Sequence, residues 1–176
     1  MNIMHFDIET VGGHFEASYG RVLCVSYMMD HWKSPKTIHA RTLQEEQEDA
    51  LPKLKELWDD VDILTSWNGK MFDFKFIQSR IFQATRQPID KKKHVDLYHI
   101  AKANLKFRGF RLDGFAKDMT MEHQKYEVPA RDWVKAMESE TYPQAYKEIV
   151  KHCEQDVRMT REAFHILKPF IIRIHK

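Results

Sequence analysis

Ile3-Met4-His5-Phe6-Asp7-Ile8-Glu9-Thr10 is the stretch on which the fold of this 176-residue chain turns. Its apolar start and β-favouring residues read as a strand, in which side chains two apart share a face. Asp7 and Glu9 therefore project together from a strand whose other residues belong to a core. Two carboxylates held beside a low-dielectric interior repel each other and lose hydration. A divalent cation relieves both penalties. The stretch thus predicts a core strand and, on one face of it, a metal site.

Working outward, a Gly12-Gly13 turn and a polar loop with Glu16 and Ser18 lead to a second strand, Arg21 to Met28, apolar enough to be central. Residues 36–40, after Pro35, form a short third strand, and residues 44–60 a helix that Pro52 should kink or divide. A buried strand over 61–67 and an amphipathic helix over 72–84 follow. Residues 94–97 make a short strand that runs into a helix over 98–105. The next helix starts near Leu112, with Leu112, Phe115, Ala116 and Met119 on one face. Residues 120–131 form a surface loop, and a last long helix over 142–167 stops near Pro169. Three strands in hairpin-like succession, then alternating helices and strands, predict an α/β fold with a mixed sheet flanked by helices.

Hydrophobic residues at 43% and charged residues at 31% are ordinary for a soluble globular protein, and the length predicts one domain over residues 1–176. A formal charge of +2 does not announce a nucleic-acid binder, although clustered acids can mask a basic rim. Cys24 and Cys153 are far apart in the sequence and suggest neither a disulfide framework nor a zinc spacing. With no signal peptide and no long apolar run, the expectation is an intracellular, cytoplasmic, soluble protein without a membrane partner.

Three further carboxylates matter. Asp73, in Trp67-Asn68-Gly69-Lys70-Met71-Phe72-Asp73, stands just after a strand, on the edge where α/β sheets bind ligands. Alone, it reads as a favourable charge at a helix N-terminus. Asp96, before Leu97-Tyr98, reads alone as a helix cap. Asp156, in His152-Cys153-Glu154-Gln155-Asp156-Val157, is mid-helix and caps nothing. It shares a face with His152, and its plain alternative is an exposed residue paired with Lys151 or Arg161.

The ordered series Asp-x-Glu, Asn-Gly-x-x-Phe-Asp, Asp-Leu-Tyr, Leu-Asp-Gly-Phe-Ala-Lys and His-Cys-x-x-Asp-Val resembles the DEDD (DnaQ-like) 3′–5′ exonucleases, which have the ribonuclease H-like fold. It is most similar to the exonuclease domain of family B DNA polymerases and their stand-alone relatives, from Ile3 to about Phe164. The resemblance implies a five-stranded sheet with three antiparallel strands followed by parallel ones. It implies four metal-binding carboxylates, Asp7, Glu9, Asp73 and Asp156, with Asp7 bridging two ions. Asp96 matches a position that is commonly acidic but structural. Asn68 matches a position near the substrate strand, Thr10 one near the terminal nucleotide, and Phe72 an apolar residue beside the scissile nucleotide.

One position departs from the pattern. One branch of the family carries a tyrosine four residues before the last aspartate; the other carries a histidine five before it. Here His152 stands at the tyrosine spacing and Lys151 at the histidine spacing, a difference of about 100° around a helix. His152 reads as a replacement for the tyrosine, unless a helical bulge restores the histidine-branch geometry. Histidine, with a reference pKa near 6.5, can take the proton of an attacking water, whereas tyrosine near 10 mainly orients it.

The resemblance implies 3′–5′ hydrolysis of DNA, at single-stranded or frayed ends, to nucleoside 5′-monophosphates with two Mg²⁺ or Mn²⁺ ions about 3.5–4 Å apart. DNA is favoured over RNA as partner, with a separate DNA polymerase as a possible second one. An exoribonuclease of the same fold and a non-catalytic nucleic-acid-binding domain are the alternatives. Lys91, Lys92, Lys93, Lys102, Lys106, Arg108 and Arg111 form a candidate backbone track, with Phe107, Phe110 or Tyr126 as stacking surfaces.

Overall fold

The first strand owes its place to strict alternation. β1 (Ile3–Val11) turns Met4, Phe6 and Ile8 into one core, and His5, Asp7 and Glu9 toward the opposite face. The computed structural model describes residues 1–11 and 17–171. The expected Gly12-Gly13 turn and Glu16 therefore lie outside the described residues.

β1 is the centre of a five-stranded sheet of order β3-β2-β1-β4-β5. β2 (Arg21–Met29) and β3 (Lys36–His39) extend it antiparallel, while β4 (Ile63–Ser66) and β5 (Lys93–Asp96) extend it parallel. This is the expected mixed α/β sheet. The β1–β2 register shifts between Glu9 and Thr10, leaving Leu23 as the extra residue of a bulge. Bulges bend a strand and re-aim its side chains, and this one sits beside Glu9.

On one face, Met4, Phe6 and Ile8 pack with Leu51, Leu54 and Trp58 of α2 (Leu51–Asp59) and Phe76, Ile77 and Ile81 of α3 (Asp73–Thr85). The other face is crossed by the longest helix, α7 (Pro143–Leu167). Its C-terminal half joins α4 (Leu97–Asn104) and α5 (Leu112–Asp118) in a second core of Leu97, Phe115, Met159 and Phe164. Its N-terminal half packs Tyr146 and Ile149 on Leu23.

Pro52 divides its helix as expected, and the local form is specific. A short turn α1 (Leu43–Glu45), capped by Thr42, runs into a π-helical segment, Glu46–Ala50, before α2 begins one residue ahead of the proline. The wider π turn turns Glu46 fully inward. There it accepts the Val22 N–H at 2.8 Å and a two-pronged contact from Arg80 of α3, at 2.9 and 2.5 Å. Removing one partner of a buried pair strands the other charge, a loss of about 3–5 kcal/mol. Arg80→Met is expected to destabilise the protein by that amount in chemical denaturation. The double variant Glu46→Leu with Arg80→Met should recover much of it, and a fully additive double loss would contradict this account.

One expectation needed correction. Residues 120–131 are not all surface loop: a seven-residue helix, α6 (Ala130–Ala136), starts after Pro129. Cys24 and Cys153, unrelated in sequence, are both fully buried and in contact, because β2 brings Cys24 opposite Glu9 beneath α7.

Candidate active site

Three elements deliver the acidic residues. Asp7 and Glu9 leave β1 on the α7 face by alternation, Asp73 is the first residue of α3, and Asp156 lies mid-way along α7. The turn between β4 and α3 carries Asn68 in a left-handed conformation (φ 65°). Gly69 follows so closely on Ser66 that a Cβ there would sit 2.4 Å from the hydroxyl. Asp96 holds this turn: its carboxylate accepts the N–H groups of Asn68 (2.9 Å) and Lys70 (3.1 Å) and also that of Tyr98, at the start of α4. That is a structural role.

The resulting cluster is short of positive charge. The Asp73 carboxyl accepts its own N–H and that of Ile8, between Asp7 and Glu9, yet burial pushes its pKa up to about 7. Burial, then the charges of Asp73, Glu9 and Asp156, raise Asp7 well above the usual carboxylate range. Burial and Asp156 do the same to Glu9, with Lys125 opposing them. Among the described residues, the one ammonium in ion-pair contact with this set is Lys125, whose Nζ is 2.9 Å from Asp156 Oδ2. The other oxygen of Asp156 is buried with no hydrogen-bond partner. Raised carboxyls, an orphaned acceptor and a donor set made mostly of carboxylate oxygens fit a divalent cation. Among the described residues, ligand atoms of Asp7, Glu9 and Cys153 lie within 4.8 Å of one another, with the charges of Asp73 and Asp156 felt beside them.

His152 joins them through an uninterrupted helix; α7 has no bulge to restore the alternative spacing. Its Nδ1 meets the backbone oxygen of Tyr126, and a carbonyl only accepts, so Nδ1 carries the proton. Nε2 then faces the cluster, 3.6 Å from Glu9 Oε1 and 3.8 Å from Asp156 Oδ2. Trp133 of α6 packs edge-on against the ring at 5.4 Å. Lys151 turns away, over the ring of Tyr126. His5 and His94 are bound elsewhere, to Thr65 and Asp30 and to Ser66, and burial lowers both to about 4.

Lys125 is the contributor that sequence reasoning missed. Its loop had no periodic signal, and nothing local ties it to residues thirty positions on. The loop is strapped to α7: Glu162 accepts the N–H groups of Glu122 and His123, Gln155 donates to the Gln124 carbonyl, and Lys125 and Tyr126 follow onto Asp156 and His152. Asp156 is thus 8% exposed and paired with Lys125, not with Lys151 or Arg161.

An open groove of about 410 Å³ runs from Asp7 and Asp156 past Lys125 and Asn68 to Trp67, Tyr98, Phe110 and Arg111. Of the anticipated basic track, Arg111 lines the groove, while Lys92 donates to the Asp59 carbonyl at the far end of the sheet. Phe107 packs into the second core, and Tyr126 is bound to Glu148 and Lys151, so neither offers a free stacking face there. Thr10 stays at the bulge, paired with Val22, and Phe72 packs against Phe76 at the head of α3.

The RNase H superfamily model matches residues 4–167, which include every one of these side chains. This chain belongs to the RNase H superfamily. In fold, it is similar to the family B DNA polymerase from the hyperthermophilic archaeon Pyrobaculum calidifontis, with a TM-score of 0.77 at 18% identity. The superposition covers 97% of this chain and 25% of that one, a likeness of fold. In sequence it is 34% identical over 87 residues to a DNA polymerase III PolC-type from Ureaplasma parvum serovar 3. That match takes in 49% of this RNase H superfamily chain but 5% of its relative. Among the described residues, no helix is long and apolar enough to cross a membrane.

Proposed function

We propose that this protein is a metal-dependent 3′–5′ exonuclease that releases nucleoside 5′-monophosphates from single-stranded or frayed DNA ends. The observation that carries the reading is the gathering of Asp7, Glu9, Asp73 and Asp156, from β1, α3 and α7, with Asp7 and Asp156 lining an open groove. Similarity to two DNA polymerases supports DNA as the substrate and a polymerase as a possible partner.

The four carboxylates would hold divalent ions such as Mg²⁺ or Mn²⁺, which supply Lewis acidity at the scissile phosphate and offset its charge. His152, its tautomer set by the Tyr126 carbonyl, presents Nε2 to take a proton from the attacking water or to orient it. Lys125, held on Asp156, would offset negative charge that develops on the phosphate. Asn68 lines the path of the strand, and Tyr98, Phe110 and Arg111 extend it outward.

The test uses 5′-labelled single-stranded DNA and RNA of one sequence, with Mg²⁺, Mn²⁺ or EDTA. A ladder shortening from the 3′ end, dependent on metal and faster on DNA, is expected. Internal cuts, or shortening that survives EDTA, would sink the reading. Faster shortening of RNA would keep the chemistry and overturn the DNA assignment.

The raised carboxyls also predict a pH dependence. Asp73 keeps its proton in the folded state up to about 7, while the unfolded chain releases it near 4. The folded state thus binds more protons in that window, and stability is lost as pH rises through it. Asp7 and Glu9, also raised by burial, act in the same sense. His5 and His94, lowered to about 4, act oppositely: their contribution is lost as pH falls from about 6.5 through 4. Cation binding displaces the carboxyl protons and leaves the histidines alone. The melting-temperature gain on adding Mn²⁺ is therefore expected to grow between pH 5 and 8, and a pH-independent gain would contradict the site.

A further inference from the structure

A second open cavity, of about 660 Å³, lies between the end of β3, the short turn α1 and the first turns of α7. It shares no lining residue with the acidic groove. Its Tyr146 stands ten residues before Asp156 on α7, about 15 Å along the helix. The volume is that of a small-molecule site. Four charges line it, Arg41, Glu45, Glu140 and Lys147, and among the described residues none of the four is in an ion pair. Arg41 is held against the wall over the Tyr146 ring, at 5.7 Å. Two cations and two carboxylates that share a cavity without neutralising one another suit a ligand that brings an anion and hydrogen-bond donors together.

The uncharged groups narrow the donors. Tyr146 gives its one hydroxyl proton to the Leu23 carbonyl at 3.0 Å, so His39 Nδ1, 3.0 Å from the same oxygen, donates to it. Burial lowers the pKa of His39, which keeps the ring neutral and leaves Nε2 as an acceptor. Thr42 Oγ1 accepts the Glu45 N–H and keeps its own proton to donate. Glu45 spends one oxygen on the Arg41 N–H and has the other to offer. Neutral acceptors, a hydroxyl and carboxylates match sugar hydroxyls, as an acidic side chain does on the ribose of a dinucleotide. Guanidinium and ammonium groups match a phosphate.

We propose that this cavity binds a sugar phosphate, with the phosphate on Arg41 and Lys147 and the sugar hydroxyls on Glu45, Glu140 and His39 Nε2. The site is separate from the carboxylates of the proposed exonuclease and stands or falls without them. Ribose 5-phosphate, inorganic phosphate, ribose and phosphoethanolamine are the probes, titrated calorimetrically into the full chain. EDTA is present, so that no metal holds phosphate in the acidic groove. Ribose 5-phosphate is expected to bind with a Kd of about 1 mM or below, at least about 10-fold tighter than the other three. Arg41→Ala and Lys147→Ala, both at exposed positions, should each weaken it about 10-fold. Glu140→Gln should weaken ribose 5-phosphate and strengthen inorganic phosphate, because it removes a hydroxyl partner and a repelling charge together. Lys125→Ala, in the other groove, should bind as wild type does. No saturable binding up to about 10 mM overturns the proposal. So does inorganic phosphate or phosphoethanolamine binding as tightly as the sugar phosphate, or a loss that follows Lys125→Ala and not Arg41→Ala. Adenosine 5′-monophosphate separates the two sources of a sugar phosphate. Tighter binding than ribose 5-phosphate upholds the site for a nucleotide, and weaker binding upholds it for a free sugar phosphate.

Discussion

Asp7→Asn is expected to abolish nuclease activity and, in the same step, to make the metal-free protein more stable. Asp7 carries the charge the site tolerates least: burial and the charges of Asp73, Glu9 and Asp156 all oppose its ionisation. Losing its share of cation binding removes several kcal/mol of transition-state stabilisation, a rate loss of about 10³-fold or more. The same change deletes a buried charge that has no cation of its own. Replacing such a charge by a neutral group of the same shape is worth about 1–4 kcal/mol in favourable cases. At pH 8 in EDTA, Asp7→Asn should therefore melt several degrees above wild type, and Mn²⁺ should raise it far less. A variant both inactive and less stable in EDTA would mean that Asp7 serves the fold and not the site.

His152→Ala carries the second large effect, a fall of about 10²–10⁴-fold in single-turnover rate if the imidazole handles the proton of the attacking water. The geometry restricts the alternatives. Nδ1 is committed to the Tyr126 carbonyl and Trp133 closes off the ring edge, so Nε2 toward Glu9 and Asp156 is the working atom. His152→Tyr restores the residue that one branch of the family has at this spacing. It should recover part of the loss, because a hydroxyl can orient water without taking its proton. Near wild-type rates for His152→Ala, with the protein folded, would reduce the residue to packing.

What could be read in the sequence follows from how local each determinant is. Asp7 and Glu9 share a face because a strand has period two, a property of three consecutive residues that no distant contact alters. The mixed character of the sheet was legible because strand-after-strand and strand-after-helix successions leave few topologies. Asp73 and Asp156 were bland singly and became informative only through the order of motifs. Lys125 was invisible for a different reason. It reaches Asp156 because Glu162, forty residues on in the chain, holds the N–H groups of Glu122 and His123. The short helix α6 has no side-chain cap and exposes Val134, so its pattern could not be told from a loop. The contact of Cys24 with Cys153 depends on the β1–β2 register and its bulge, which no spacing between the two cysteines encodes.

The strap from Glu122 to Tyr126 is anchored to a single helix. Each of its ties ends on α7: Glu162, Gln155, Asp156, His152 and Glu148 in turn. Lysine, histidine and aspartate thus share a single frame of reference, fixed to one helix and indifferent to small shifts of that helix over the sheet. The carboxylates of β1 belong to another frame. Alignment between the two would be set by whatever is bound between them.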